Sequence, residues 1–162
     1  MASVDMIASL IARYEAGTDA LTRWARGLSR EQLLATPIAG TWSMQQLVVH
    51  MLESELAAVH RMRRMVAEEM PLLIAYDETL AAKNLGYEKA DVAQVAQLFA
   101  MLRAFTVAWL KTLPTEAFER AGVHNQRGKI TLAAMVAMYA EHAEHHEKFA
   151  GAKRVALGVS PL

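Results

Sequence analysis

Apolar residues recur at spacings of three and four along most of the chain, which is the period of one face of an amphipathic helix. The first such stretch predicts a helix over residues 3–26, with Gly27 as its end. The second predicts a helix over residues 43–69. It follows a Ser-x-x-Gln capping box that begins at Ser43, and it stops before Pro71.

Two further helices are predicted in the second half of the chain. Asp91 is a suitable N-cap for the third, which ends before Pro114, and Thr131 can cap the fourth, which extends to Val155 and stops at Gly158. The inner face of the third helix is expected to contain Val92, Val95, Leu98, Phe99, Leu102, Phe105, Trp109 and Leu113. That of the fourth is expected to contain Leu132, Met135, Tyr139, His142, His146 and Phe149.

The segments between these helices differ in length. Residues 71–89 form a long connection with a short helix expected around residues 77–83, and residues 115–129, with two glycines and no apolar period, are expected to form a loop or short turn. Four long helices and almost no strand pattern predict an all-α protein, a four-helix bundle. A length of 162 residues predicts that residues 1–162 form a single domain.

Composition removes several classes of function. Seventeen basic and seventeen acidic residues are scattered along the chain and leave a net charge of zero, which disfavours nucleic-acid binding. Asp5 and Arg13 interrupt the apolar stretch near the N-terminus, so neither a signal sequence nor a membrane span is expected there. We therefore expect a cytoplasmic protein with a small-molecule substrate, and no nucleic-acid or membrane partner.

The chain has no cysteine, so any metal ion must be held by His, Asp or Glu. His142 and His146 are four residues apart on the last predicted helix, close enough to bind one ion, and they continue its apolar face. His145 lies on the side of the charged residues Glu141 and Lys148. Burying two imidazoles among apolar side chains is unfavourable unless their nitrogens find partners, and a metal ion would satisfy both.

A third ligand should come from another helix, and His50, among the apolar residues of the second helix, is the best candidate. Glu53, one turn later, could be a fourth ligand or could orient an imidazole from the second shell. His60 and His124 are interpreted as ordinary surface or loop residues. The spacing alone leaves one alternative open, because hydrogen-bonded core histidines without a metal would show the same pattern.

Other catalytic patterns are missing from the sequence. It contains no Glu-x-x-His pair of the di-iron bundles, no His-Glu-x-x-His or His-x-x-Glu-His motif, no glycine-rich phosphate loop and no Gly-x-Ser-x-Gly elbow. Three imidazoles leave a divalent ion with open coordination positions, and imidazole suits Zn, Ni, Cu or Fe. The histidines are thus the only chemistry that the motifs support.

Two stretches resemble the DinB-like superfamily of bacterial four-helix bundles. One is Gly40-Thr41-Trp42-Ser43 entering a helix, with His50 seven residues after the serine. The other is Gly128-Lys129-Ile130-Thr131-Leu132, followed by the terminal His-x-x-x-His of His142 and His146. The resemblance implies a metal-binding triad at His50, His142 and His146, and an up-down-down-up bundle with its long crossover between the second and third helices. It also implies a homodimer, since many members are dimeric.

The resemblance leaves more than one function open. Characterised relatives are similar to metal-dependent S-transferases that use low-molecular-weight thiols, among them a mycothiol-dependent maleylpyruvate isomerase. We expect a metal-dependent enzyme, a thiol S-transferase or a hydrolase, with Zn or Ni as the ion and a small thiol as a further cofactor in the transferase case. The alternative is a non-catalytic dimeric bundle that binds a metal or a small molecule. The sequence does not single out a catalytic residue.

Overall fold

The computed structural model describes residues 3–162, which form a helical bundle with a small sheet at one side. The helices are α1 (Val4–Glu15), α2 (Ala20–Ala25), α3 (Arg30–Leu34), α4 (Met44–Ala67), α5 (Glu78–Asn84), α6 (Val92–Leu110) and α7 (Leu132–Ala156), and Tyr87–Lys89 and Thr115–Glu119 form 3₁₀ turns. The strands are β1 (Leu72–Leu73), β2 (Ala121–His124) and β3 (Gly128–Thr131). The bundle consists of α4, α6, α7 and the α1–α2 segment, and α4 packs against both α6 and α7.

The first predicted helix, over residues 3–26, is wrong in one respect, because it is broken between α1 and α2. The break contains Gly17, where a Cβ atom would lie only 2.2 Å from Nη1 of Arg103. The apolar period continues through the break, with Tyr14, Leu21 and Trp24 all fully buried. The periodicity therefore identified the buried face but not the interruption.

The helix starts follow the predicted capping chemistry. Ser43 accepts a hydrogen bond from the backbone N–H of Gln46, whose side chain accepts one from the Ser43 backbone, and this capping box begins α4. Asp91 caps α6 and Thr131 caps α7. The short helix expected in the long connection is α5, which starts one residue later than predicted.

The prediction that residues 115–129 form a loop or short turn is incomplete, because it missed two strands. These residues contain a 3₁₀ turn and β2, which pairs antiparallel with β3 and parallel with β1. Each strand has at most four residues, too few for a visible alternation. Gly122 lets β2 approach β1 closely, since a Cβ there would lie 2.8 Å from Leu73 Cδ1. Gly128, with φ of 74°, closes the three-residue hairpin loop in the left-handed region.

The predicted inner faces need four corrections. Leu98 and Phe105 on α6, and Phe149 and Val155 on α7, are exposed, whereas Ala143 and Ala150 of α7 are buried instead. On α6 the buried face passes through Arg103 and Thr106, which are polar, so apolar character alone placed the face on neighbouring residues.

Within residues 3–162, α6 is long and apolar enough to span a membrane by length and composition. A core helix passes the same test, and one such helix is weak evidence for a span. It packs against α4, and its Arg103 is fully buried in an ion pair with Glu55 of that helix. These contacts are those of a bundle helix.

Candidate metal centre and adjoining cavity

Two of the long helices position the three histidines. His50 lies in the second turn of α4, just after the Ser43 capping box, and its ring meets Trp42 edge-on with centroids 4.9 Å apart. His142 and His146 lie one turn apart in the middle of α7. Because α4 and α7 pack against each other, the imidazole from one helix faces the pair from the other.

The three rings converge through their ring nitrogens. His142 Nε2 lies 3.3 Å from Nε2 of His50 and 3.0 Å from Nε2 of His146. One nitrogen from each of the three rings lies within 4.8 Å of the others, and His50 is completely buried. The structure therefore brings together the three residues that the sequence analysis selected.

The surroundings favour the uncharged form of all three rings. Burial, together with the positive charges of His146, His50 and Arg103, lowers the pKa of His142 to about 3. Burial and the neighbouring histidines lower the pKa of His146 to about 4. The pKa of His50 is lowered by burial, against an opposing effect of the Glu78 carboxylate. Neutral imidazoles offer the lone pairs that a metal ion requires.

A divalent ion fits this arrangement. Two nitrogens bound at 2.0–2.1 Å to one tetrahedral ion lie about 3.3 Å apart, close to the two spacings observed. Three Nε2 atoms facing a common point cannot all be satisfied by sharing protons with one another. The Nδ1 atoms of His50 and His146 are buried and have no hydrogen-bonding partner in residues 3–162, so the backs of these two rings are not held by a carboxylate or carbonyl.

The other predicted site residues lie elsewhere. The half-buried Glu53 is outside the three-histidine group of the described residues, and its negative charge acts on Tyr87. Its role as a ligand or orienting residue stays a prediction. His145 and His60 are exposed, in agreement with their interpretation as surface residues.

His124 is not the ordinary surface or loop residue that we predicted. It is the last residue of β2, is only 4% exposed and accepts a hydrogen bond from the Gln126 backbone N–H at Nδ1, 3.3 Å away. The sequence signal that could have placed it is the short hairpin, whose glycine at residue 128 and three-residue loop mark the strand before it.

A cavity of about 360 Å³ adjoins the histidine centre. It lies between α4, α5, the hairpin and α7, and the described residues that line it include Ser54, Arg61, Tyr76, Glu78, His124, Arg127, Tyr139, Glu141 and His142. Its volume suits a small molecule. Apart from Tyr139 and His142, which were assigned to the inner face of α7, none of these was predicted as a functional residue. The lining residues come from four separate stretches of the chain, which only the tertiary structure joins.

A buried charged cluster also contacts α7. Arg103 Nη2 lies 3.3 Å from Glu55 Oε2 and donates a 2.7 Å hydrogen bond to the carbonyl of Tyr139, one turn before His142. The Tyr14 hydroxyl donates to Glu55, and the guanidinium lies 4.2 Å from the centre of the Tyr14 ring. The cluster ties α1, α4 and α6 to the segment of α7 that holds the ligands.

The fold and the histidine centre together define a class of protein: a helical bundle in which two helices bring three imidazoles together beside a small cavity. The family profile that matches residues 13–150 is that of the DinB superfamily. Because this match covers most of the chain, the protein belongs to the DinB superfamily, as the sequence motifs predicted.

Individual relatives agree with this assignment. Two proteins of Oceanobacillus iheyensis, each named "Putative metal-dependent hydrolase", are 27% identical to this chain. One match covers 74% of this chain and 69% of the relative, and the other covers 83% and 78%. The solved structure of YfiT from Bacillus subtilis, described as "a probable metal-dependent hydrolase with an unusual four-helix bundle topology", matches with a TM-score of 0.90 at 24% identity, over 98% of this chain and 91% of YfiT.

Proposed function

We propose that this protein is a metal-dependent hydrolase of small molecules that binds one divalent transition metal ion, Zn or Ni, through His50, His142 and His146. The observation that carries the proposal is the convergence of three uncharged imidazoles, whose Nε2 atoms have spacings of 3.0 and 3.3 Å and one of which, His142, lines the cavity. The names of the two Oceanobacillus relatives support the reaction class.

A divalent ion on three neutral imidazoles keeps its full charge and open positions, and it can polarise a substrate carbonyl or lower the pKa of water towards neutrality. The remaining chemistry belongs to the chain. Glu78, in the first turn of α5, lines the cavity together with His142, and its negative charge acts on His50. We propose Glu78, and not Glu53, as the carboxylate that accepts a proton during hydrolysis at its side-chain oxygens.

Elemental analysis of protein purified without a histidine tag tests the metal site. After incubation with Zn or Ni and removal of excess ion, wild type should contain about one ion per chain, and His142→Ala should contain almost none. His145→Ala is the matched control, because this exposed neighbour on the same helix lies outside the cluster. Metal-free wild type, or equal loss of metal in both variants, would disprove the site.

The hydrolase reaction is tested separately with a panel of small esters, amides and lactams. Turnover should require the metal, should disappear with a chelator and should return when Zn or Ni is restored. A protein that binds one ion per chain but hydrolyses none of the panel favours the non-catalytic alternative, in which the bundle uses its metal for stability or for binding a small molecule. His142→Ala should then lower only the melting temperature.

A thiol S-transferase is the second candidate, and it is the reaction that the family resemblance implies. A metal ion would stabilise the thiolate of a low-molecular-weight thiol, which must come from outside because the chain has no cysteine. Incubating the loaded protein with bacillithiol, mycothiol or glutathione and an electrophile tests this version. No rate above background with any of these thiols excludes it.

We also propose the finer features that the family resemblance implies: an up-down-down-up order of the long helices, a cytoplasmic location and a homodimer. An apolar strip on α6 supports the dimer, since Leu98, Met101 and Phe105 share one face and are 46%, 63% and 56% exposed. Sedimentation velocity of the purified protein tests the oligomeric state.

A further inference from the structure

The cavity beside the histidine centre is lined on one side by positive charge and by hydrogen-bond donors. From this arrangement we infer that the substrate is a small acid, whose carboxylate or phosphate group binds to Arg61, Arg127 and His124 while its reactive bond lies toward His142. This inference rests on the proposed function, because it assigns a substrate class to the same site.

Arg61 is a buried and firmly held part of this wall of the cavity. It lies on α4, is 8% exposed and is fixed by two hydrogen bonds, to the Tyr139 hydroxyl at 2.7 Å and to the carbonyl of Ile74. In the described part of the chain no carboxylate forms an ion pair with it. A buried guanidinium that lacks a counter-ion is costly, and an anionic ligand in the cavity would supply one.

His124 adds a donor at the same place. Its Nδ1 accepts the Gln126 backbone N–H, so the proton of the neutral ring is on Nε2, which can donate. Burial, together with the positive charges of Arg61 and Arg127, lowers the pKa of His124 and keeps the ring neutral. Two guanidinium groups, one from α4 and one from the hairpin, thus act on one imidazole.

Hydroxyl groups complete the set of donors. The Tyr76 hydroxyl is buried near Ser54 but makes no hydrogen bond of good geometry with any residue from 3 to 162. The Tyr139 hydroxyl accepts from Arg61 and lies near Ser54, so a second pair of hydroxyl groups faces the same region. A group that offers several acceptor oxygens, such as a carboxylate or phosphate, matches these donors.

The acidic residues of the cavity do not neutralise the charge around His124. Glu141 is exposed and pairs with Arg13 at 3.4 Å. The negative charge of Glu78 acts on His50 and on Tyr76, whereas the charges that act on His124 are the positive ones of Arg61 and Arg127. An acid bound beside His124 presents its remaining atoms to the rest of the cavity, which includes His142.

Titration calorimetry on metal-free protein tests the inference without the metal. The probes are succinate and inorganic phosphate, which distinguish the two kinds of anion, and succinamide as the uncharged analogue of succinate. Arg127→Gln removes one charge from an exposed loop position, so the fold should persist. Lys129→Gln is the matched control, because Lys129 is exposed in the same hairpin and does not line the cavity.

We expect saturable binding of succinate or phosphate, none of succinamide, and about tenfold or greater weakening in Arg127→Gln with little change in Lys129→Gln. Arg61→Lys, which keeps the charge but loses the two-pronged geometry, should also weaken binding while circular dichroism stays unchanged. No saturable binding of either anion, or equal weakening by Arg127→Gln and Lys129→Gln, would overturn the inference. Because metal content is measured independently, failure here is distinguishable from failure of the metal site.

Discussion

The substitution Gly17→Ala should destabilise the protein strongly although it adds one methyl group. The new Cβ would lie 2.2 Å from Arg103 Nη1 and 3.3 Å from the Ala143 Cβ. Arg103 must therefore move by about 1 Å or more to reach ordinary van der Waals contact. The guanidinium is planar and rigid, so its Nη2 must move as well, away from Glu55 and from the Tyr139 carbonyl, which lie at 3.3 and 2.7 Å.

The loss of stability in Gly17→Ala follows from the burial of the Arg103–Glu55 ion pair. The side chains of Arg103 and Glu55 are 0% and 1% exposed, so water cannot replace the contacts that are lost. Removing one partner of a buried ion pair costs about 3–5 kcal/mol, which sets the upper limit for a displaced pair, and the gain from replacing a glycine is about 0.5–1 kcal/mol. For a chain of this length, the net loss corresponds to a melting temperature lower by up to about 15 °C.

Differential scanning calorimetry of the metal-free protein measures the effect, and Gly151→Ala provides the control. Gly151 lies inside α7, and the nearest atom to its added Cβ is Leu162 Cδ1 at 4.0 Å, so alanine there should stabilise the helix by about 0.5–1 kcal/mol. If Gly17→Ala melts at or above the wild-type temperature, Arg103 is not held in place and the reasoning is refuted.

Three further predictions concern the site and the surface. Burial and two nearby guanidinium groups lower the folded-state pKa of His124 from 6.5, so its contribution to stability is complete above about pH 6.5 and is lost as the pH falls through the lowered value. In urea titrations, wild type should lose more stability than His124→Gln between about pH 7 and pH 5, and parallel profiles would contradict this. Glu78→Gln should lower metal-dependent turnover by about 100-fold or more with unchanged metal content, whereas Glu88→Gln, an exposed residue outside the cavity, should not; retained turnover in Glu78→Gln would remove its role. Met101→Glu, on the apolar strip of α6, should convert a dimer to a monomer in sedimentation velocity; an unchanged dimer would place the interface elsewhere.

Local chemistry made much of the fold predictable. Helix starts depend on hydrogen bonds between residues three positions apart, so Ser43, Asp91 and Thr131 could be identified from sequence alone. The spacing of His142 and His146 is likewise a property of one helix, and it placed both rings on the same side. The choice of His50, on another helix, depended on its place among apolar residues, and the family motif supported that choice.

The rest depended on contacts between distant segments. The break at Gly17 exists where Arg103, far away in the sequence, fills the space beside the backbone. The burial of His124 follows from the pairing of β2 with β1, two short strands separated by α5 and α6. Contacts of this kind produce no periodic pattern in either segment, so they cannot be predicted from local sequence.

The sequence by itself determined α4, α6 and α7, their caps and, with support from the family motif, the choice of the three histidines, because these features are set by spacing within a helix or by a short motif. Only the tertiary structure decided that the three Nε2 atoms converge, and that Arg61, Arg127, His124 and Glu78 share a cavity with His142. The physical reason is that the chemistry of a side chain depends on its residue type alone, whereas the groups around it depend on how the whole bundle packs.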